Sequence, residues 1–523
     1  MSATDAFQKI LLINPPGKIF VRQDGGIGER KHCTPPLGLA YIAGNLIKNG
    51  YDVEIIDALA EGYSNERYIK PFLVYGLDIN EIVERALDAK PDVIGFSVLF
   101  SNRIGETHEI AAAIRKVLPD VTMVFGGQHP TAMPDQVMKR PHVDFIIAGE
   151  ADQSMVDLME ALNDRLEKPQ VKGLFYRDGN SIINSMENVA SSVDGNGWKY
   201  YERKDAPVPL ELDELPYPAW EIFPMDAYWG SHVRIGGGDV MRERFLVIMS
   251  TRGCPNVCTF CTSPLLSGYK AYRRRGNKEV IAEIRHNIDT YNIQEIQFLD
   301  DNFFVSKKRV KDLCKMITKE FANDNVIFSA PAGTEANAMD EEMIDLMAAA
   351  NFHKVMIAIE AGDDSVQSEH VDKKVKLDRI PALVDYIRSR GMTVHSLFMI
   401  GFPDETKAQI NKTLELAMNL NVDDFFISVA TPLPGTPMYD DCVERGILVG
   451  DFDPDNLRFS LANIELPDTT KEELETMRIE AWLKMKDRNN RQTGTVKKGS
   501  FKEFEKSSDF ERAGITVDTK NLQ

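Results

Sequence analysis

Residues 244–264 read RFLVIMSTRGCPNVCTFCTSP, and this stretch decides how the rest of the chain is read. An apolar run of buried-strand length breaks into a loop punctuated by Gly and Pro, with Cys254, Cys258 and Cys261 in the spacing C-x3-C-x2-C. Three thiolates on one tight loop can ligate three irons of a cubane [4Fe-4S] cluster and leave the fourth iron open for chemistry. A structural zinc site wants four ligands, usually as two spaced pairs. Here Cys33, Cys314 and Cys442 are scattered and no neighbouring histidine completes a set. Core packing has no need of three cysteines so placed.

Downstream the strand-then-loop rhythm repeats, with EIQFLDD from 295, NVIFSA from 325, KVMIAIE from 354, MTVHSLFMIG from 392 and DDFFISVA from 423. Helical patterns such as 378–390 separate these runs. Six βα units predict a partial TIM-type barrel over 241–440, with its chemistry at the carboxyl ends of the strands. Those ends carry the cysteine loop, then Asp300 and Asp301, Glu360 and Gly401. A helical region follows over 441–488, and the polar composition of 489–523 predicts a loosely ordered tail.

Upstream, residues 1–165 alternate β-rich runs (KILLI, YDVEIID, DVIGFSV, VTMVFGG, VDFIIAG) with helices, which predicts an α/β fold with a doubly wound parallel sheet. The pattern at 37–48, followed by Gly50, is a helix with its glycine stop. Residues 166–240 read as a bridge: a hairpin with an Asp-Gly turn, then LDELPYPAWEIFPMDAYWG, a Pro- and aromatic-rich linker with Trp220 and Tyr228 as anchors. At the strand ends stand NPPG (from Asn14), SVLFSN (Ser97 to Ser101 and beyond), GGQHP (Gly126, Gly127, Gln128) and GEAD (Gly149, Glu150). Such small turns let the backbone approach a large flat ligand. None matches a dinucleotide fingerprint or a P-loop.

Composition sets the outer bounds. A net charge of −19 argues against nucleic acid as a partner. The opening residues contain no signal-peptide pattern and no membrane-length apolar run, and six cysteines are too few for a disulfide framework, so the expected setting is the cytoplasm. The segment KAYRRR (270–275) reads as a solvated helix start or as a clamp for an anionic small molecule.

The three-cysteine loop, with Phe260 just before the third cysteine, resembles that of the radical SAM superfamily. By that resemblance Glu360 in AIEAGDD, Asp300 in LDDNF, Ser396, and Gly401 in MIGFPDET contact S-adenosylmethionine (SAM), with Phe260 beside it. One electron on the cluster then yields a 5′-deoxyadenosyl radical.

Preceded by this kind of sheet, the barrel resembles the cobalamin-binding radical SAM class. PPLGLAYIAGNL, GYDVEIIDA, PDVIGFSV and GGQHPTAMPD look like its cobalamin domain, with Asn14, Ser97, Ser101, Gly126, Gly127, Gln128, Gly149 and Glu150 at the cofactor. DALAEGY, the YGL at 75–77 and LFSN look like the branch that includes the methyltransferase of fosfomycin biosynthesis. The motif D-x-H-x-x-G, whose histidine ligates cobalt, is absent, and His129 and His32 are candidates by residue type only. The resemblance implies carbon methylation from methylcobalamin, two SAM molecules per turnover and an electron donor such as flavodoxin or ferredoxin. The alternatives are a cobalamin-dependent oxidative cyclisation or ring rearrangement, and, in a different class, a non-catalytic iron–sulfur carrier or sensor.

Overall fold

The computed structural model describes residues 7–21, 31–166, 169–179, 181–184, 189–193, 199–203, 211–230, 234–235, 238–268, 271–371, 373, 375–451 and 453–493. Its first sheet contains the five expected parallel strands in the spatial order Asp52–Asp57, Lys9–Asn14, Val93–Ser97, Thr122–Gly126, Phe145–Ile147. They form because apolar runs such as Ile10 to Ile13, buried on both faces, suit a sheet covered by helices on each side. The order reverses between Lys9–Asn14 and Val93–Ser97, the point at which such sheets take ligands beyond their carboxyl ends.

The hairpin expected in the bridge is built onto this sheet. Leu174–Asp178 pairs antiparallel with Phe145–Ile147, and Ser181–Asn184 completes the edge. A small antiparallel sheet of Gly17–Phe20, Phe72–Tyr75 and Glu66–Ile69 adds to the amino-terminal half. The helix Leu37–Lys48 stands as read, and Gly50 stops it at φ +87°.

Residues 211–230 thread between the two halves. The Ala219 amide donates to Ala40 O (3.0 Å), the Gly276 amide to Asp213 Oδ1 (2.9 Å), and Trp229 Nε1 to Phe245 O (2.9 Å). Trp220 and Tyr228 are fully buried anchors. Of the expected bridge, 167–168, 180, 185–188, 194–198, 204–210, 231–233 and 236–237 lie outside the described residues.

The second half is a six-stranded parallel sheet in sequential order: Phe245–Ile248, Glu295–Phe298, Ile327–Thr334, Phe352–Glu360, Thr393–Ile400 and Asp424–Val429. This is the expected partial barrel. The helix Lys471–Thr493 packs on its last strand, buries Leu474, Ala481 and Met485, and runs past the boundary expected at 488. The rest of the expected tail, 494–523, lies outside the described residues. Among the described residues no helix is long and apolar enough to cross a membrane.

Candidate active site

The first barrel strand delivers the chain into the cysteine loop, and the residues after the second strand hold that loop in shape. Asp300 Oδ1 accepts from the Ser250 amide (3.1 Å), Ser250 Oγ (2.8 Å) and Thr251 Oγ1 (2.5 Å). Asp301 Oδ2 accepts from the Gly253 amide (2.7 Å). Gly253 sits at φ +81°, and a Cβ there would lie 2.3 Å from Ala271 O, so the turn into Cys254 requires glycine. Burial raises both carboxyls, and their donors pull them partly back. Asp300, expected at SAM, is thus committed through Oδ1 to the loop itself.

Donors converge on the thiols. Asn302 Nδ2 points at Cys254 Sγ (3.7 Å) and the Ser263 amide at Cys261 Sγ (3.5 Å). Thr259 anchors the loop through its amide and hydroxyl to His370 O (3.1 and 3.0 Å). Burial raises all three thiols, Cys261 to about 11. Cys33, Cys314 and Cys442 are each buried elsewhere. Among the described residues no three His, Cys, Asp or Glu side chains gather as a single metal ion would need.

Glu360 ends the fourth strand in the left-handed region, φ +66°, an unfavourable conformation for a residue with a Cβ. Its Oε1 meets Lys373 Nζ at 2.5 Å. Burial opposes the Lys373 charge, but Glu360 with Cys258 and Cys261 outweighs it and raises the ammonium. Phe260 packs on Phe402 (centroids 5.6 Å), and the His370 ring stacks on Phe402 as well (5.2 Å). Gly401, at φ +84°, leaves room for Leu474, which would be 2.6 Å from an added Cβ. Ser396 shares its strand face with the core residues Val394 and Phe398, and its buried hydroxyl has no partner among the described residues. Sequence reading passed over Lys373 and Asn302; the second lies inside LDDNF, but Lys373 stands in no local motif.

At the other sheet the expected residues do gather at the carboxyl ends. Gly127, at φ +100°, lies so close to the chain leaving Val93–Ser97 that a Cβ would fall 2.7 Å from Val98 O. Beside it Leu99 and Phe100 are 49% and 46% exposed in the turn after Val93–Ser97. Apolar surface left open beside a glycine cradle fits the flat face of a corrin. The Gly149 amide donates to Thr131 Oγ1 (2.9 Å). Asn14 Nδ2 donates to Asp57 Oδ1 (2.7 Å), and Tyr228 Oη bonds the other oxygen of that buried carboxylate. His129 is wholly buried with Nδ1 on Ser101 Oγ (3.0 Å), and burial lowers its imidazolium to about 4. His32 meets Tyr75 Oη through its backbone.

Glu150, expected at cobalamin, stands between two arginines. Its oxygens are paired with Arg252 (2.9 Å) and Arg273, while Asp152 takes Arg252 as well (2.6 Å). Arg275 pairs with the buried Glu283. Two arginines of 270–275 therefore neutralise protein carboxylates, and the helix begins only at Asn277. Lys270 lies outside the described residues.

Comparison with known proteins agrees with this layout. A B12 binding domain model matches residues 24–159 and a radical SAM superfamily model matches residues 248–417. The cytidylyl-2-hydroxyethylphosphonate methyltransferase of Streptomyces wedmorensis is 32% identical over 85% of this chain and 83% of its own. An anaerobic magnesium-protoporphyrin IX monomethyl ester cyclase of Rubrivivax gelatinosus is 24% identical over 86% of this chain and 72% of its own. Among solved structures, the radical SAM methyltransferase TsrM of Kitasatospora setae, with cobalamin and a [4Fe-4S] cluster bound, superposes with TM-score 0.63 at 18% identity, covering 84% of this chain and 78% of that one. The cobalamin-dependent radical enzyme OxsB, with aqua-cobalamin and SAM bound, gives TM-score 0.66 at 16% identity, covering 97% and 71%. With both domains matched in order and one relative similar along most of both chains, this chain belongs to the B12-binding radical SAM proteins, whose cofactors are cobalamin, a [4Fe-4S] cluster and SAM.

Proposed function

We propose that the protein is a cobalamin-dependent radical SAM methyltransferase acting on an unactivated carbon of a small molecule. The observation that carries this reading is the direct tie between the two sites. Arg252, two residues before Cys254, is ion-paired to Glu150 and Asp152 at the strand ends of the cobalamin-binding sheet. A single substrate carbon held between them can be reached from both.

When bound, the cluster and SAM supply a 5′-deoxyadenosyl radical and cobalamin supplies the methyl group. Cys254, Cys258 and Cys261 hold the cluster, and the Asn302 and Ser263 N–H groups offset thiolate charge. The Lys373–Glu360 pair offers one charge of each sign beside the thiols, complementary to the carboxylate and ammonium of SAM. Phe260 and Phe402 wall the site and limit water there. Asp300 through Oδ1 and Asp301 through Oδ2 fix the loop. On the sheet, Asn14, Ser97, Ser101, Gly126, Gly127, Gln128 and Gly149 form the cobalamin rim, joined by Leu99 and Phe100; the Glu150 carboxylate is withdrawn into its arginine pairs. A reduced flavodoxin or ferredoxin supplies the electron.

The test is anaerobic turnover with SAM, methylcobalamin, a reductant and cytidylyl-2-hydroxyethylphosphonate as probe. A product heavier by one CH2, with both 5′-deoxyadenosine and S-adenosylhomocysteine released, supports methylation. Gain of oxygen or loss of hydrogen would instead assign the chemistry of the cyclase relatives.

A further inference from the structure

The cysteine loop and the cobalamin-binding sheet are joined by one compact group of charges, buried at Arg252 and Asp152 and half-buried at Glu150 and Arg273. Thr251–Arg252 pairs antiparallel with Arg273–Arg274, placing Arg252 opposite Arg273, and both arginines reach Glu150. Asp152 receives Arg252 in a two-pronged contact, Nη1 at 2.6 Å and Nη2 at 3.1 Å. Arg252 and Asp152 are both 8% exposed, and the guanidinium lies over the Tyr41 ring, 5.1 Å from its centroid. The other end of the acidic loop is pinned as well, since the Gly149 amide is held by Thr131 and Asn45 Nδ2 donates to Asp152 O (2.8 Å).

We propose that Arg252 is a positioning residue: by locking the loop of Cys254, Cys258 and Cys261 onto residues 150–152, it sets the separation between the cluster and cobalamin. The inference rests on the reading that both cofactors bind. A planar guanidinium is what the site needs, because its fork matches the Asp152 carboxylate while a third contact reaches Glu150. Lysine offers a point charge and cannot hold both. Nor is the contact required merely to keep the halves together. Lys18 bridges Glu106 and Asp455 (2.7 Å each), Arg458 Nη1 donates to Lys18 O (3.2 Å), and Trp220, Phe223, Met225 and Tyr228 of the connecting segment are buried. Loss of Arg252 therefore shifts the cysteine loop locally within an interface that persists.

Coupling of two reactive centres is sensitive to such shifts, because a misplacement of about 1 Å costs on the order of 10²-fold in rate. Radical formation from SAM needs only the barrel. Methyl transfer needs both halves in register.

The experiment compares wild type, Arg252→Lys and Asp152→Asn as anaerobically reconstituted holoproteins. Iron and cobalamin contents are measured first, then microwave power saturation of the cob(II)alamin EPR signal with the cluster reduced, which reads their separation without any substrate. Finally, 5′-deoxyadenosine is counted against methylated product with cytidylyl-2-hydroxyethylphosphonate. Both variants should load both cofactors, show altered saturation, and form on the order of 10²-fold less methylated product per 5′-deoxyadenosine. Unchanged saturation, equal loss of the two products, or loss of either cofactor from both variants overturns the inference. If Arg252→Lys alone fails to load, Asp152→Asn decides by the same criteria. A wild-type protein that binds no cobalamin sinks the proposed function itself.

Discussion

Replacing Asp300 tests whether the cysteine loop is shaped before any cluster arrives. Its Oδ1 is the common acceptor for one amide and two hydroxyls, at 3.1, 2.8 and 2.5 Å, and the residue is 1% exposed. Asp300→Ala strands a buried amide, at about 1–3 kcal/mol, and removes two further bonds whose hydroxyls can turn only partly to other acceptors. The local penalty is then about 2–5 kcal/mol, enough to multiply transient opening of the loop by about 30-fold to several thousand-fold. Asp300→Asn keeps an acceptor oxygen and loses only the charge, so its cost is about 1 kcal/mol. Hydrogen exchange of the peptide spanning residues 250–261 in the metal-free protein reads this opening directly. Iron retained after anaerobic gel filtration reads its consequence. The expected order of exchange is Ala above Asn above wild type, with iron retention reversed. If the Ala variant exchanges at the wild-type rate, Asp300 does not shape the loop and its remaining oxygen must be sought at the ligand.

Cys258→Ala should abolish 5′-deoxyadenosine formation, checked by chromatography after reduction in the presence of SAM. Lys373→Met leaves the Glu360 carboxylate buried without its cation, a loss of about 3–5 kcal/mol locally; the cluster EPR signal should then cease to shift on adding SAM. Glu405, whose Oε2 accepts from the Gly401 and Phe402 amides, is pushed by burial up to about 7. A carboxyl raised above its unfolded value favours folding while protonated, so this contribution is full below about pH 4.5 and is lost as pH rises through 7, at most about 3 kcal/mol. Thermal midpoints at pH 5.5 and 8.5 should differ less in Glu405→Gln than in wild type.

What could be read from residue order follows from how local each signal is. The cysteine spacing and the six barrel strands were legible because a metal-binding loop and apolar strands buried on both faces announce themselves within a few residues. The strands Gly17–Phe20, Glu66–Ile69 and Phe72–Tyr75 were not read, being four residues each with no alternation long enough to count. Charge pairing is not legible locally. KAYRRR reads as a solvated helix start or as an anion clamp, whereas Arg273 finds Glu150, which lies 123 positions away, and Arg275 a carboxylate on the next helix. Lys373 gains its meaning only from the unusual φ of Glu360 and the arrival of the cysteine loop from a different strand. Periodicity reports which face of an element is buried, and it carries no information about which distant charge will face it. The cysteines proposed to hold the cluster are therefore visible in the sequence, whereas Arg252 and Lys373, proposed to act around them, emerge only once the fold has brought the two halves together.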